Sequence, residues 1–154
     1  MTQKHFTSHW GELDDLTPRA VYTMLKLRVD VFVVEQNCPY PEIDGKDYDA
    51  FHLRLLDGDE LAAYLRVLPP ESEGKPVKIG RVVVAEGYRG HKLGHRLMQE
   101  AIEFIQKRFP HQMTELGAQS HLQNFYGSFG FIPISDEYLE DNIPHIDMRL
   151  APHI

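Results

Sequence analysis

Cysteine and long apolar runs are both scarce in this chain. Cys38 is the single cysteine among 154 residues, so an intramolecular disulfide is excluded. No apolar run approaches the ~20 residues that a membrane-spanning helix needs. The residues before Trp10 have neither the basic nor the apolar region of a secretion signal. We therefore expect a cytoplasmic protein with no membrane partner.

Basic residues are also outnumbered. The chain has 16 lysines and arginines against 23 aspartates and glutamates, which gives a formal net charge of −7. This balance disfavours nonspecific binding to nucleic acid phosphates, and we expect no nucleic acid partner. A small-molecule or peptide amine suits an acidic protein better as a substrate. A local basic pocket for a phosphorylated cofactor is still compatible with the net charge.

Two nucleotide-binding motifs and one metal motif are missing. There is no GxGxxG fingerprint and no Gly-Lys-Ser/Thr of a Walker loop, which removes most support for nucleoside triphosphate chemistry. Nine histidines are present, and His91 and His95 have the i,i+4 spacing of helical zinc ligands. The glutamate of a His-Glu-x-x-His motif is absent, however, and no cysteines cluster. We therefore expect no metal.

Length and patterning predict one domain of mixed α/β (α+β) class over residues 1–154, without repeats or linkers. Helices are predicted from the Thr17 cap and Pro18 to Phe32, along residues 93–105, and around residues 122–129. Strands are predicted at residues 51–56, 60–68, 77–84, 114–118, around 131, and at 146–150. The first two strands form a hairpin about Asp57-Gly58-Asp59.

The strand at residues 77–84 is followed by a loop containing Gly90 and Gly94 and then by an amphipathic helix. Glycines let the backbone approach a ligand closely, and the free N–H groups at a helix start point toward an anion. Arg89 and Lys92 add positive charge at the same place. On this evidence alone the loop is either a pyrophosphate site or a turn shaped for tight helix packing.

Residues 89–94, which read Arg-Gly-His-Lys-Leu-Gly, resemble the cofactor loop of the GNAT superfamily of N-acetyltransferases. The family pattern is Arg/Gln-x-x-Gly-x-Gly/Ala, and Lys92 replaces its first glycine. The segments 32–40, 44–45, 116–119, 121–123 and 143–145 are similar to the ElaA-like subfamily. The resemblance spans roughly residues 20 to 150 and implies a mixed, mostly antiparallel central sheet that splits around the cofactor and is flanked by helices.

The resemblance implies acetyl-CoA as cosubstrate and direct transfer of its acetyl group to an amine in a ternary complex. It also implies that Tyr126 protonates the coenzyme A sulfur, because the segment 124–131 is similar to the second cofactor motif of the superfamily. A phenol with an ordinary pKa of ~10 is protonated at neutral pH and can donate to a thiolate. The cofactor-binding residues implied are Val82, Val83 and Val84 through their backbone, Arg89, Gly90, His91, Lys92, Leu93, Gly94 and His95 in the loop, and Asn124.

The base that deprotonates the amine is not singled out by the sequence. Glu35, Asp44 and His145 all fall in loops or at element ends on the acceptor side that the fold implies. A carboxylate is also a common cap or solvated charge, and a histidine often only hydrogen-bonds locally. An acidic cleft around Glu35, Asp44 and Asp47 would suit a polyamine, a lysine side chain or an N-terminal amine, and these acceptors are not ranked.

Three other functions are compatible with parts of the pattern. A noncatalytic acyl-CoA sensor would keep the loop without turnover, and a generic phosphate-ligand module would bind adenosine triphosphate as well as coenzyme A. Cys38 would permit a covalent acetyl-enzyme, but a lone cysteine in a proline-rich loop is more often unreactive. A homodimer is plausible for the family.

Overall fold

The computed structural model describes residues 5–152, which form one twisted sheet with helices packed on it. The strands are β1 (Thr7–Gly11), β2 (Phe51–Asp57), β3 (Glu60–Leu68), β4 (Val77–Val84), β5 (Thr114–Gln119), β6 (Ile132–Pro133), β7 (Tyr138–Glu140) and β8 (Ile143–Leu150). The helices are α1 (Pro18–Arg28), continued by a π-helical segment (Val29–Glu35), α2 (Leu93–Arg108) and α3 (Gln123–Gly127).

The sheet order is β1-β2-β3-β4-β5-β8-β6, and β7 pairs with β8. All neighbours are antiparallel except β4 and β5, which are parallel and paired only at Val77 with Thr114 and at Lys78 with Glu115. Beyond Lys78 the two strands diverge. The predicted mixed, mostly antiparallel sheet with flanking helices is therefore confirmed, and the split falls between β4 and β5.

Helices α1 and α2 lie on opposite faces of the sheet. Successive side chains of a strand point to opposite faces, and in β3 the fully buried Tyr64 packs with Met24 of α1 while the neighbouring Leu65 packs with α2. Helix α2 buries the apolar stripe expected from its sequence, including Leu97 and Ala101. A fully buried leucine such as Leu97 contributes about 2–5 kcal/mol, judged by the cost of truncation to alanine.

Local signals in the sequence set the start of α1 and the first hairpin as predicted. The Thr17 hydroxyl accepts from the Ala20 N–H at 3.1 Å, and Pro18 occupies the first helical turn. Gly58 has φ +58 in the turn between β2 and β3, a conformation that glycine adopts without steric cost.

Two strands and several boundaries differ from the prediction. The edge strand β1 was not predicted, because it is short and partly polar. Its place depends on a tertiary contact, the stacking of Trp10 on Phe104 of α2 at 4.2 Å between ring centroids. The strand β7 was also missed, although Asp141 and Asn142 both have positive φ in its turn to β8, as a two-residue hairpin requires. The predicted helix at 122–129 is shortened to α3, the strand predicted around 131 is β6, and β8 begins at Ile143.

A set of buried arginines and carboxylates fastens the loop before β2 to α1 and to the sheet. Arg28 Nε lies 2.6 Å from Glu42 Oε2, and Arg28 Nη1 lies 2.7 Å from Asp47 Oδ1. The same Asp47 oxygen accepts from Arg66 Nη1 at 3.0 Å. We call this set the arginine–carboxylate cluster. Its members are Arg28, Glu42, Asp44, Asp47, Arg66 and Arg81.

Asp47→Asn is expected to lower the free energy of unfolding by about 3 kcal/mol, because two buried guanidinium groups then share one neutral amide. Burial by itself would raise the pKa of Asp47, but the hydrogen bonds and charges of Arg28 and Arg66 hold that pKa below its ordinary value. A carboxylate with a lowered pKa in the folded state stabilises the fold at neutral pH. That contribution is lost as pH falls below about 4, the range of an unfolded aspartate. Urea unfolding at several pH values measures both effects.

The exposed Asp49 supplies the control, because Asp49→Asn removes the same charge two residues away. Asp49→Asn should change the free energy of unfolding by no more than about 0.5 kcal/mol. The difference in the free energy of unfolding between the wild type and Asp47→Asn should narrow as the buffer is acidified below about pH 4. A free-energy difference that is small at pH 7, or that becomes larger in acid, would contradict the stabilising role of Asp47.

Candidate active site

A cavity of about 490 Å³ opens where β4 and β5 diverge. Strands β3 and β4 and the loop before β2 form one side of it. Strand β5 and the β7–β8 hairpin form the other side. Tyr126 of α3 reaches the cavity wall, and Cys38 lines it from the loop after the π-helical segment. The split in the sheet therefore produces a pocket of the size that small ligands occupy.

The edge of β4 is open along the cavity. Ala85 N–H donates to Ala62 of β3 at 2.8 Å. Because backbone groups alternate in direction along an antiparallel strand, Val82 and Val84 direct theirs away from β3, toward the side where β5 has diverged. The Val83 side chain is buried in the core on the α1 face. Val82 and Val84 therefore have backbone groups that face the opening, while the same alternation turns those of Val83 toward β3. Binding of a cofactor by residues 82–84 stays a prediction.

The loop before α2 presents unpaired backbone donors. Among the described residues, none accepts a hydrogen bond from the N–H groups of residues 90–95. Gly90 has φ +92, and Lys92 has φ 58 and ψ 31, so Lys92 takes the left-handed conformation that suits the glycine of the family pattern. Lys92 therefore adopts a backbone conformation that glycine takes without steric cost. The loop joins a row of free N–H groups to the positive end of a 16-residue helix.

The predicted cofactor residues other than the valines and Asn124 belong to this loop and to the first turn of α2. Gly90, His91, Lys92 and His95 are exposed, and Leu93 is buried under the loop. Asn124 is exposed at the beginning of α3. A Cβ atom at Gly94 would lie 3.5 Å from the Phe125 ring, so α2 and α3 approach each other closely at this glycine.

Arg89 and Glu35, predicted for different roles, form an ion pair. Arg89 Nη2 lies 2.9 Å from Glu35 Oε1, and both side chains are exposed. Glu35 is not among the residues that line the cavity. The pair links the end of the π-helical segment to the loop before α2. Glu35 therefore lies at the loop, where it competes with any anion for Arg89.

Tyr126 has the environment of a proton donor. The side chain is buried, and its ring has edge contacts with Phe125 and Phe131. Tyr126 is among the residues that line the cavity, and no described residue forms a hydrogen bond with its hydroxyl. Burial raises the pKa of Tyr126 to about 12, so the phenol stays protonated at physiological pH. The hydroxyl is free to donate to a group that enters the cavity.

His145 lines the opposite side of the cavity and has a defined tautomer. Its Nδ1 lies 2.7 Å from the Ile143 carbonyl oxygen, which can only accept, so Nδ1 carries the proton of the neutral ring. Nε2 is therefore the basic nitrogen, and Glu140 Oε2 lies 3.5 Å from it. The ring stacks against Tyr138, whose hydroxyl donates to Asp147 at 2.5 Å. These contacts hold a basic nitrogen at the cavity.

The acidic cleft expected around Glu35, Asp44 and Asp47 is absent from the described residues, because arginines neutralise its carboxylates. Asp44 Oδ2 lies 2.5 Å from Arg66 Nη2 and 3.3 Å from Arg81 Nη2. Burial would raise the pKa of Asp44, but the hydrogen bonds from Arg66 and Lys46 and the charges of both arginines lower it. A carboxylate held so firmly in its charged form is a weak base.

Cys38 is buried, and its thiol donates to the Asp141 carbonyl oxygen at 3.2 Å. Burial raises the pKa of the Cys38 thiol, with a further contribution from the Asp141 charge. A thiol whose pKa is raised carries little thiolate and is a poor nucleophile. The geometry therefore gives no support to a covalent acetyl-cysteine.

Basic residues at the cavity were missed in reading the sequence. Arg66 and Arg81 interrupt otherwise apolar strands, and a buried charge inside such a strand signals a specific partner or a site. Arg81 has φ 53 and lies where the register between β3 and β4 shifts, which marks a β-bulge. Lys46 and Lys78 also line the cavity. Only the fold shows that these four basic residues line the same cavity.

Comparison with known proteins agrees with this geometry. The Acetyltransferase (GNAT) domain family matches residues 13–152. The chain is 49% identical to protein ElaA of Escherichia coli strain K12 over 143 residues, which are 90% of this chain and 94% of that protein. The crystal structure of Escherichia coli ElaA superposes with a TM-score of 0.89 at 46% identity, covering 94% of this chain and 99% of that one.

A crystal structure of an acyl-CoA N-acyltransferase from Pseudomonas aeruginosa superposes with a TM-score of 0.90 at 45% identity, covering 96% of this chain and 100% of that one. The chain belongs to the GNAT acetyltransferase family, in its ElaA-like branch. Within residues 5–152, no helix is long and apolar enough to cross a membrane. The same residues contain no group of three or more His, Cys, Asp and Glu side chains placed to hold a metal ion.

Lys92→Gly is expected to raise the free energy of unfolding by about 1 kcal/mol, because a non-glycine residue in the left-handed region carries a steric cost that glycine lacks. Lys92→Ala is the matched control, since it removes the same charge but keeps a Cβ atom at φ 58. Denaturant unfolding of the three proteins measures the difference. If Lys92→Gly is no more stable than Lys92→Ala, the backbone strain assigned to Lys92 is absent.

Proposed function

We propose that the protein is an N-acetyltransferase that transfers the acetyl group of acetyl-CoA to an amine within a ternary complex, with residues 1–154 working as one domain. One observation carries the proposal. The open edge of β4 and Tyr126 line one opening in the sheet, and the unpaired N–H groups of residues 90–95 follow the end of β4 in the chain. A diphosphate, an extended amide-containing arm and a reactive sulfur need these three features in this order.

The cofactor residues take complementary parts in this proposal. The N–H groups around Gly90, Lys92 and Gly94 bind the diphosphate, with Arg89 and Lys92 adding positive charge. Val82 and Val84 pair with the pantetheine arm as a further strand would, and a β4 N–H polarises the thioester carbonyl. His91 and His95 belong to the loop and the first turn of α2, Asn124 lies at the beginning of α3, and all three contact the cofactor in this proposal.

The acetyl transfer itself needs one acid and one base. The lone pair of the neutral amine attacks the thioester carbon, a C–N bond forms, and the C–S bond then breaks. The departing sulfur accepts a hydrogen bond and then a proton from Tyr126, and the proton of the amine passes to the base. Because the pKa of Tyr126 is raised to about 12, the phenol is fully protonated before each turnover.

His145 is the base in this proposal. Glu35 is paired with Arg89, and Asp44 is held in its charged form by Arg66 and Arg81. His145 alone among the three candidates combines a place at the cavity with a basic nitrogen that is not committed to an arginine. Glu140 beside Nε2 stabilises the imidazolium that forms when the proton arrives.

Tyr126→Phe is expected to lower kcat for acetyl transfer by on the order of 100-fold or more, with little change in affinity for acetyl-CoA, because only the proton donor is lost. Mass spectrometry of turnover with a broad amine panel measures kcat, and calorimetry measures the affinity. Since the protonated form of Tyr126 is the active one and its pKa is about 12, kcat of the wild type should not decline up to about pH 10.

Tyr22→Phe is the control, since Tyr22 is 72% exposed on α1. It should leave kcat unchanged. Binding of acetyl-CoA without turnover of any amine would favour a noncatalytic sensor, and neither binding nor consumption would remove the basis of the proposal. Competition by adenosine triphosphate as strong as that by coenzyme A would indicate a general phosphate site instead.

His145→Gln is expected to lower kcat/KM by about 100-fold near neutral pH, because glutamine keeps the bulk but cannot accept the proton. Part of the activity should return at alkaline pH, where more of the amine is already neutral in solution. The exposed His111 gives the matched control, His111→Gln. Equal losses at all pH values would argue for a purely structural role of His145 and against its assignment as base.

A further inference from the structure

The two sides of the cavity carry charge of opposite sign. The β3–β4 side and the loop before β2 contribute Lys46, Arg66, Lys78 and Arg81 to the lining. Across the opening, the β7–β8 hairpin contributes Glu140, Asp141 and the basic nitrogen of His145. Because β4 and the β5–β8 pair lie on opposite sides of the split, the two sets of charged residues line opposite sides of the cavity.

The basic side keeps donors that no protein group uses. The three arginines of the arginine–carboxylate cluster balance its three carboxylates, so the cluster is formally neutral. Arg81 uses Nε and Nη2 in the cluster, while its Nη1 has no hydrogen bond to a described residue. Arg66 Nε is buried without a partner. Neither Lys46 nor Lys78 forms an ion pair within the described part of the chain, so this side has excess positive charge.

The acidic side suits an ammonium group. Glu140 is 60% exposed and lies beside His145, and Asp141 in the adjoining turn is exposed. An incoming cationic amine would be attracted to these carboxylates and would reach Nε2 of His145 there. The same amine would be repelled by the basic side. An acceptor with two positive ends would therefore leave Lys46 and Arg81 without a counterion.

We infer that the acceptor is a small zwitterion, an α-amino acid with a free carboxylate, bound with its amine toward His145 and its carboxylate toward Arg81 Nη1 and Lys46. The inference rests on the proposed function and specifies its acceptor. A carboxylate that enters gives the unused Arg81 Nη1 and the Lys46 ammonium a charged partner. A polyamine or a lysine side chain brings no anion to this side.

Matched acceptors test this inference, namely leucine, leucinamide and the decarboxylated amine 3-methylbutylamine, with other amino acids in parallel sets. Charge-assisted hydrogen bonds distinguish ligands by about tenfold to a hundredfold each. We expect kcat/KM for the preferred amino acid to exceed that of its amide and its decarboxylated amine by about 50-fold or more. Isothermal titration of the coenzyme A-loaded protein with the same compounds gives a reading that is independent of turnover.

Lys46→Glu is the variant that tests the basic side without disturbing the buried arginines. It should lower kcat/KM for the amino acid by about tenfold and leave that for the decarboxylated amine unchanged or raised, because the carboxylate loses its partner while the cationic amine loses a repulsion. The KM for acetyl-CoA should stay constant. Lys75→Glu is the control, since Lys75 is exposed in the β3–β4 loop and does not line the cavity.

The outcomes separate this inference from the proposed function. Amines turned over as well as, or better than, their parent amino acids would overturn the zwitterion assignment and leave acetyl transfer standing. A uniform loss in Lys46→Glu for charged and neutral acceptors alike would also overturn it. Failure of every acceptor to be acetylated would instead overturn the proposed function, and this inference with it.

Discussion

The parallel pairing of β4 with β5 ends after two residue pairs, and the rest of the site depends on that early ending. A sheet that continued would satisfy the backbone groups of Val82 and Val84 and fill the space that is now the cavity. Because the strands diverge, the edge of β4 is exposed to a ligand inside the protein while the other edge stays bound to β3. The helix start at residues 90–95 then lies at the end of the same strand.

The arginine–carboxylate cluster supports this opening from the side of β4. A non-glycine residue in the left-handed region costs about 1–2 kcal/mol, and Arg81 carries that cost at the bulge of β4. Its guanidinium bonds to Glu42 and Asp44 hold the bulge in place. Buried ion pairs add little net stability on average, so the value of this cluster lies in fixing one arrangement of the loop and strand beside the reactive centre.

Membership of the GNAT family and the local chemistry agree at the cofactor loop. Lys92 stands where the family has glycine, yet its backbone adopts the glycine-like conformation and adds a cation close to the free N–H groups. On the proposed acceptor side, the charges are divided between two walls of the cavity. Its carboxylates before β2 are already bonded to arginines, and the uncommitted charges are basic on one side and acidic on the other.

Much of the fold followed from local signals. The Thr17 cap, the Asp-Gly turn at Gly58, the strand β4, the loop and the stripe of α2 are all encoded within a few residues, where backbone preferences and apolar spacing act directly. The same segments predict the cofactor loop and the role of Tyr126, and both stay predictions. The sequence by itself therefore determined these local elements.

The tertiary structure decided what depends on distant partners. Strand β1 requires α2 beneath Trp10, and Asp44 and Asp47 are neutralised by arginines from α1, β3 and β4. The sequence offers Glu35 and His145 equally as candidate bases. Only the structure distinguishes them, because Glu35 forms an ion pair with Arg89 and His145 lines the cavity. Charge and proton transfer depend on distances of a few ångströms between residues far apart in the chain, and those distances exist only once the sheet has formed.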